Sequence, residues 1–324
     1  MTITTQPYQN ILSKKKIWLT SHRGMLGSAM FRLLKQENLN LLLTTRQELD
    51  LREQDAVFQW VEQNRPDLIF HIGAKVGGIQ ANRDFKGDFL YSNLMIQTNV
   101  IEAARRFGVE KLVFVASNCI YPNNINRPIS EHALLTGPLD DNVRSYAIAK
   151  IAGVEMCMAY HQQFGCDFIS VIPPNLYGPG DNYHPHNCHV IAGILRRAHE
   201  AKMTNQPLVI WGDGKARREL LYVDDLAKAM IQVMVSHSNE NVYNVGCGHD
   251  FSIKEIALKI AEVVGFQGKL LFDETKPNGT MKKLLDNSRI LSLGWNPQIS
   301  EEDGLQRAYQ DFLQRLEISD IERT

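Results

Sequence analysis

No apolar run in the chain approaches the roughly 20 residues that a membrane-spanning helix needs, so nothing in it reads as a bilayer segment. Charge of one sign is not in excess. The 35 basic and 36 acidic residues leave a formal charge of −1, which gives no electrostatic footprint for nucleic acid or an anionic membrane. Cysteine is sparse and odd in number, at Cys119, Cys157, Cys166, Cys188 and Cys247. No CxxC pair or metal-ligand spacing occurs among them, which excludes a disulfide framework or zinc module and suits a reducing cytosol. A cytoplasmic location is therefore expected, and the Asn278-Gly-Thr280 sequon is read as accidental. Lys14-Lys15-Lys16 precede only Ile17-Trp-Leu-Thr, too short for the apolar core of a signal peptide. Residues 1–16 are read as a frayed polar extension. Repeats and low-complexity linkers are also lacking.

What remains is a 324-residue chain able to bury a large core in one or two domains. Its first half alternates short β-rich apolar runs (17–21, 39–44, 68–73, 111–117, 168–173) with helical patterns (25–36, 53–64, 89–107, 145–164). Strands alternating with helices of this length predict βαβ units and a parallel sheet. The expected architecture is α/β: a Rossmann-type doubly wound parallel sheet over 17–175, with a smaller C-terminal α+β substrate lobe over 176–324. Residues 223–246 read again as helix then strand, a return to the main sheet. Ligands of such sheets lie beyond the carboxyl ends of the strands, and Ser117, Tyr146 and Asn175 sit at or after such ends.

Tyr146 and Lys150 lie four apart in Arg144-Ser-Tyr-Ala-Ile-Ala-Lys150, so on a helix they share a face. A free phenol has a pKa of about 10. A neighbouring cation would favour the phenolate and bring it towards working pH for acid–base catalysis. Ser117, ending the apolar strand Lys111-Leu-Val-Phe-Val-Ala-Ser, is placed to bond a substrate carbonyl. Upstream, Ser21-His-Arg-Gly24-Met-Leu-Gly27 follows the first strand and opens a helix, the context of a pyrophosphate turn. Gly24 would let phosphates approach and Gly27 would let the helix pack close. Arg46, just past the second strand, favours a ribose 2′-phosphate, with Arg23 as the other side of the clamp. The competing reading gives Glu48 to a free ribose diol, and solvated surface charge is the lesser alternative for all three.

Other residues read two ways. Cys119 by itself is an inert small hydrophobe more often than a catalyst, and His189, opening a helix after a Pro/Gly-rich loop, is more often a cap or surface residue. The run Arg217-Arg-Glu-Leu-Leu-Tyr-Val-Asp-Asp225 follows Trp211-Gly-Asp-Gly. Its arginines are placed to grip a diphosphate and Trp211 to pack a sugar or base, while Asp224 and Asp225 equally suit capping of the next helix.

Taken together these residues resemble the extended short-chain dehydrogenase/reductase family of nucleotide-sugar enzymes, from about Ile17 to Phe312. The most specific stretches are His22-Arg-Gly-Met25, Ala74-Lys-Val-Gly-Gly-Ile79, Cys119-Ile-Tyr-Pro122 and Ser145–Gly153, then Asn175-Leu-Tyr-Gly-Pro179, Asp181–Pro185, Arg218-Glu, Val223-Asp-Asp225 and Lys283-Leu-Leu-Asp286. The likeness is strongest to its bifunctional branch, which epimerises C3 and C5 of GDP-4-keto-6-deoxy-D-mannose and then reduces C4 with NADPH. It implies a reductase triad of Ser117, Tyr146 and Lys150 and an epimerisation pair of Cys119 and His189. NADP(H) would be held by Ser21, Arg23, Gly24, Met25, Gly27, Arg46, Ser117, Lys150, Pro173, Asn175, Leu176 and His189. The nucleotide sugar would be held by Arg197, Trp211, Arg218 and Asn278. A homodimer pairing the helices near 89–107 and 145–164 is implied too. Against the family pattern, Ser21 replaces the first glycine, Asn118 a serine and Pro174 a small polar residue. Asn278 replaces an aspartate, and Met281-Lys282 a Pro-Arg pair. The rival readings are another nucleotide-sugar 4-epimerase or 4-reductase and, from a different class, a non-catalytic NADP-sensing binding protein.

Overall fold

The computed structural model describes residues 6–185, 187–237, 240–276 and 278–321. In chain order the elements are α1 (Gln6–Leu12), β1 (Lys16–Leu19), α2 (Met25–Gln36), β2 (Asn40–Leu43), α3 (Gln54–Asn64) and β3 (Leu68–His71). Then come α4 (Ile79–Asp84), α5 (Lys86–Arg106), β4 (Lys111–Val115), α6 (Arg144–Phe164), β5 (Asp167–Ile172), β6 (Asn175–Tyr177) and α7 (Val190–Thr204). The remainder is β7 (Leu208–Trp211), β8 (Arg217–Tyr222), α8 (Val223–Val235), β9 (Val242–Asn244), β10 (Asp250–Ser252), α9 (Ile253–Val264), β11 (Leu270–Asp273), α10 (Ser288–Ser292) and α11 (Glu301–Ile321).

Six strands form one sheet in the order β2-β1-β3-β4-β5-β9, every pair parallel. The strands β3 and β4 are buried throughout, as a parallel sheet covered on both faces requires. One face packs α2 and α8 through Leu26, Met30, Leu34, Leu226, Met230 and Val233. The other packs α3, α5 and α6 through Val57, Val61, Val100, Ile101, Val154 and Cys157. This is the doubly wound Rossmann-type arrangement, and the topological switch between β1 and β3 places a crevice beyond their carboxyl ends.

The second lobe has its own core, in which α7, α9 and α11 cover β7 and β8 through Ile194, Leu195, Ile210, Leu220, Ile256, Ile260 and Phe312. Its sheets are small: β10-β8-β6 and the parallel pair β11-β7. The helix α9 shows why this stretch is helical. Ser252 and Glu255 close a capping box, apolar residues recur on one face, and Gly265 in the left-handed conformation ends it. β9 leaves this half of the chain and pairs with β5.

Three expectations need correction. The segment 1–16 is not frayed over its described part: α1 carries buried Leu12 into the α2/α8 core, and the Tyr8 hydroxyl donates to Gln232 Oε1 at 2.5 Å. Residues 1–5 of that segment lie outside the described residues. The strand expected over 111–117 stops at Val115, because Ser117 turns the chain into a 3-10 turn at Asn118–Ile120. Asp224 and Asp225 do not cap α8 with their side chains. Asp224 pairs with Arg32 at 2.6 Å, and buried Asp225 accepts from the Gln298 and Ile299 amides at 2.9 Å each.

Candidate active site

A cavity of about 470 Å³ opens where the carboxyl ends of the main sheet meet the second lobe. At one end the first turn of α2, with Met25, Leu26 and Gly27, forms its wall together with Ser21 and Gly24. Gly24 is the helix N-cap and has no side-chain cap bond, so the free amides of the first turn are available to an anion. A Cβ on Gly24 would meet no atom within 4 Å, whereas one on Gly27 would lie 2.1 Å from the Ser21 carbonyl oxygen. Gly24 thus leaves room in front of the helix and Gly27 allows the helix to touch the turn. Ser21, half-buried, is accommodated where a glycine was expected. These features fit a dinucleotide pyrophosphate.

Ser117, Cys119, Tyr146, Lys150 and His189 all line this cavity, as do Pro173, Asn175 and Leu176. Ser117 comes from the turn after β4, where its hydroxyl accepts from the Cys119 amide at 3.5 Å and keeps its own proton for donation. Tyr146 and Lys150 come from α6. The Lys150 ammonium donates to the Val115 carbonyl at 2.8 Å and lies 4.6 Å from the Phe114 ring centre and 5.9 Å from that of Tyr146. Burial pulls Lys150 down to about 8.

The expected depression of the Tyr146 pKa is not what this geometry produces. Burial pushes the phenol well above its ordinary value, with the Cys119 sulfur adding to the effect. Lys150 is directed at a carbonyl rather than at the phenol oxygen, so Tyr146 rests as a protonated donor. Burial raises the Cys119 thiol, opposed by the Ser117 hydroxyl, Lys283 and Lys150, and lowers His189. His189 occupies the N-cap position of α7 but makes no side-chain cap bond, so its ring is not spent on the helix.

The second-lobe residues Arg197, Trp211, Arg218 and Asn278 also line the cavity. Arg197 donates to the Val209 carbonyl at 3.2 Å and sits 5.6 Å from the Trp211 ring centre. Arg217 was expected to help grip a diphosphate. It lines the cavity, and it also bonds Asp250 at 2.5 Å, with Glu255 3.6 Å away, so it ties β8 to β10 and α9. Arg218 donates to the carbonyls of Arg217 (2.7 Å), Thr280 (2.5 Å) and Asn278 (3.1 Å). Part of its guanidinium therefore holds the irregular strap 278–283, from which Asn278, Thr280 and Lys283 line the cavity. The Asn278 side-chain oxygen accepts from the Asp213 amide at 2.9 Å, which makes this residue a turn clamp; Pro277 beside it lies outside the described residues.

Arg23 and Arg46 are not on the cavity wall and both are exposed. Arg46 stands 3.6 Å from Asp50 with 73% of its side chain exposed. Glu48, the competing ribose ligand, bonds the Thr45 amide and hydroxyl at 2.7 and 2.8 Å, which together with Arg23 nearby lowers its pKa. Its carboxylate is already engaged in that turn.

Sequence reasoning passed over three wall residues. Lys283, 8% exposed, donates to the Tyr121 and Asn118 carbonyls at 2.8 and 3.3 Å. Asp140 accepts from the Asn142 amide at 2.9 Å and from the Thr280 hydroxyl. Asn82 donates to Gly77 and Gly78 while its buried side-chain oxygen has no partner. Only the Lys283-Leu-Leu-Asp run carried any signal, and it said nothing of the partners.

The family described as the NAD dependent epimerase/dehydratase family matches residues 17–246. A GDP-L-fucose synthase of Escherichia coli (strain K12) is 47% identical over 94% of this chain and 98% of its own. A putative GDP-L-fucose synthase 2 of Arabidopsis thaliana is 49% identical over 93% and 92%. Among solved structures, a GDP-L-fucose synthetase from Naegleria fowleri bound to NADP superposes with a TM-score of 0.86 at 30% identity, covering 94% of each chain. With the matched fold, the glycine turn and the Ser–Tyr–Lys wall in agreement, this chain belongs to the NAD dependent epimerase/dehydratase family.

Proposed function

We propose that this chain converts GDP-4-keto-6-deoxy-D-mannose to GDP-L-fucose with NADPH, by epimerisation at C3 and C5 followed by reduction at C4. One observation carries the reading: a hydroxyl-donor group (Ser117, Tyr146) and a thiol–imidazole pair (Cys119, His189) line the same cavity. A simple reductase has no use for the second pair.

A C4 ketone acidifies the protons on C3 and C5, because loss of either gives an enolate spread onto the C4 oxygen. Ser117 and Tyr146 would donate hydrogen bonds to that oxygen as its charge grows. The Cys119 thiolate would take the carbon-bound proton on one face, becoming a thiol. Protonated His189 would return a proton on the other, becoming neutral, and exchange with solvent resets both. A dihydronicotinamide held there would supply the hydride for C4. Tyr146, held protonated by its burial, would give its proton to the same oxygen, and Lys150 would hold the nicotinamide ribose. Gly24 and the α2 N-terminus suit the pyrophosphate, with Pro173, Asn175 and Leu176 beside the nicotinamide. Arg23 and Arg46 remain our candidates for the 2′-phosphate, since both are exposed cations near the end of β2. Arg197, Trp211 and Arg218 would receive the GDP moiety. The apolar side chains left exposed on α5 and α6 (Tyr91, Ile148, Phe164) support a homodimer joined through those helices.

The test is NADPH oxidation with this substrate in D₂O, with the product identified by NMR. GDP-L-fucose carrying deuterium at C3 and C5 is expected. An unepimerised 6-deoxy sugar would leave a 4-reductase, and cofactor binding without turnover would leave a binding protein.

A further inference from the structure

The strap 278–283 ends on a charge that the reaction scheme above does not use. Lys283 is buried, lines the cavity, and donates to the carbonyls of Asn118 and Tyr121. Those two residues bracket Cys119 in the 3-10 turn after β4. We infer that Lys283 is the positioning residue of the epimerisation base: its ammonium fixes the turn that carries Cys119 and supplies the positive charge that makes the sulfur a usable proton acceptor. The inference rests on Cys119 being that base.

Carbonyl bracing alone would need no cation, since a neutral donor would serve. The electrostatics of the pocket give the charge its purpose. Burial opposes the thiolate, and the groups that favour it are the Ser117 hydroxyl, then Lys283, then Lys150. The Lys150 ammonium donates to Val115, and the reductive step calls on it as well. Burial lowers the Lys283 pKa itself, while the Cys119 sulfur and then Asp140 favour its charge and Arg218 opposes it. Tyr146 is the other titratable group against the sulfur. With the thiol raised and the imidazole lowered by burial, the competent pair, thiolate with imidazolium, is a minority form at neutral pH. A cation that favours the thiolate enlarges that minority in direct proportion. Each pH unit by which the thiol rises then costs about tenfold in exchange rate.

The experiment compares Lys283→Met, Lys283→Arg and the unaltered chain by two readouts. One is iodoacetamide alkylation of Cys119 against pH, followed by peptide mass spectrometry, which requires no turnover. The other is deuterium uptake at C3 and C5. Lys283→Met is expected to move the alkylation midpoint up by about one pH unit and slow uptake about tenfold at pH 7, while Lys283→Arg keeps the midpoint. An unchanged midpoint in Lys283→Met, with or without lost uptake, overturns the inference and leaves only a brace. A midpoint that rises equally in Lys283→Arg overturns the role of charge. Full uptake by Cys119→Ser would instead sink the assignment of the base, an outcome that leaves the alkylation result readable.

Discussion

The two walls of the cavity are built by different means. The proposed reductive wall comes from consecutive units of one parallel sheet: Ser117 after β4, Tyr146 and Lys150 on the first two turns of the following helix, Pro173 just after β5. The wall proposed to receive the sugar is assembled from segments far apart in the chain. Lys283 reaches Asn118 and Tyr121, Arg218 holds 278 and 280, and the Thr280 hydroxyl bonds Asp140. The first wall inherits its precision from backbone ladders. The second depends on individual charged side chains donating to carbonyls, so single substitutions should disturb it while the fold survives.

The largest expected effect tests whether the walls are chemically separable. Tyr146→Phe should slow reduction by about 10²–10⁴ yet keep a measurable part of the deuterium uptake at C3 and C5, because Ser117 still donates to the enolate oxygen. Loss of both together would mean the walls act as one.

The glycine turn sharpens the comparison. Gly27→Val should lower both the melting temperature and NADPH affinity, since a Cβ there meets the Ser21 carbonyl at 2.1 Å. Gly24→Ala, with nothing within 4 Å, should leave melting unchanged and weaken NADPH at least about tenfold, through the phosphate approach alone. Calorimetry with and without cofactor reads both, and equal binding by Gly24→Ala would move the pyrophosphate elsewhere.

On the other wall, Arg218→Lys keeps the charge but loses the fork that spans two carbonyls of the strap. The expected outcome is a KM for the nucleotide sugar raised about tenfold with NADPH affinity intact. A parallel loss of NADPH binding would show that the strap supports both walls.

The smallest effect concerns the turn between the walls, where Gly180 packs on Met25 and Ser28. Burial pushes Asp181 up to about 7, so this group adds stability below pH ~4 and withdraws it as pH rises through 7. Asp181→Asn should therefore raise the melting temperature at pH 8, by roughly 3–6 °C, and change little at pH 4. A gain that is the same at both values would rule out titration as its cause.

That Ser117, Tyr146, Lys150 and the glycine turn would share one cavity was legible because the information is local. A Tyr–Lys spacing of four, a serine at a strand end and glycines three apart each fit within one βα unit, and the alternation of strands and helices set the sheet. The same local reading misjudged charge. It took Lys150 as the partner of the Tyr146 phenol, whereas the ammonium is satisfied by Val115 and burial governs the phenol.

By itself, the sequence determined the doubly wound parallel sheet, the phosphate-ready turn and the identity of the groups able to move a proton or orient a ketone. These follow from periodicity and from spacings shorter than one supersecondary unit. Only the tertiary structure decided which of those groups are charged, which are spent on carbonyls, and that Lys283 reaches the turn carrying Cys119 from 164 residues away in the chain. The reason is physical: desolvation and buried hydrogen bonding depend on what surrounds a side chain in space, and no local pattern of residue types records that.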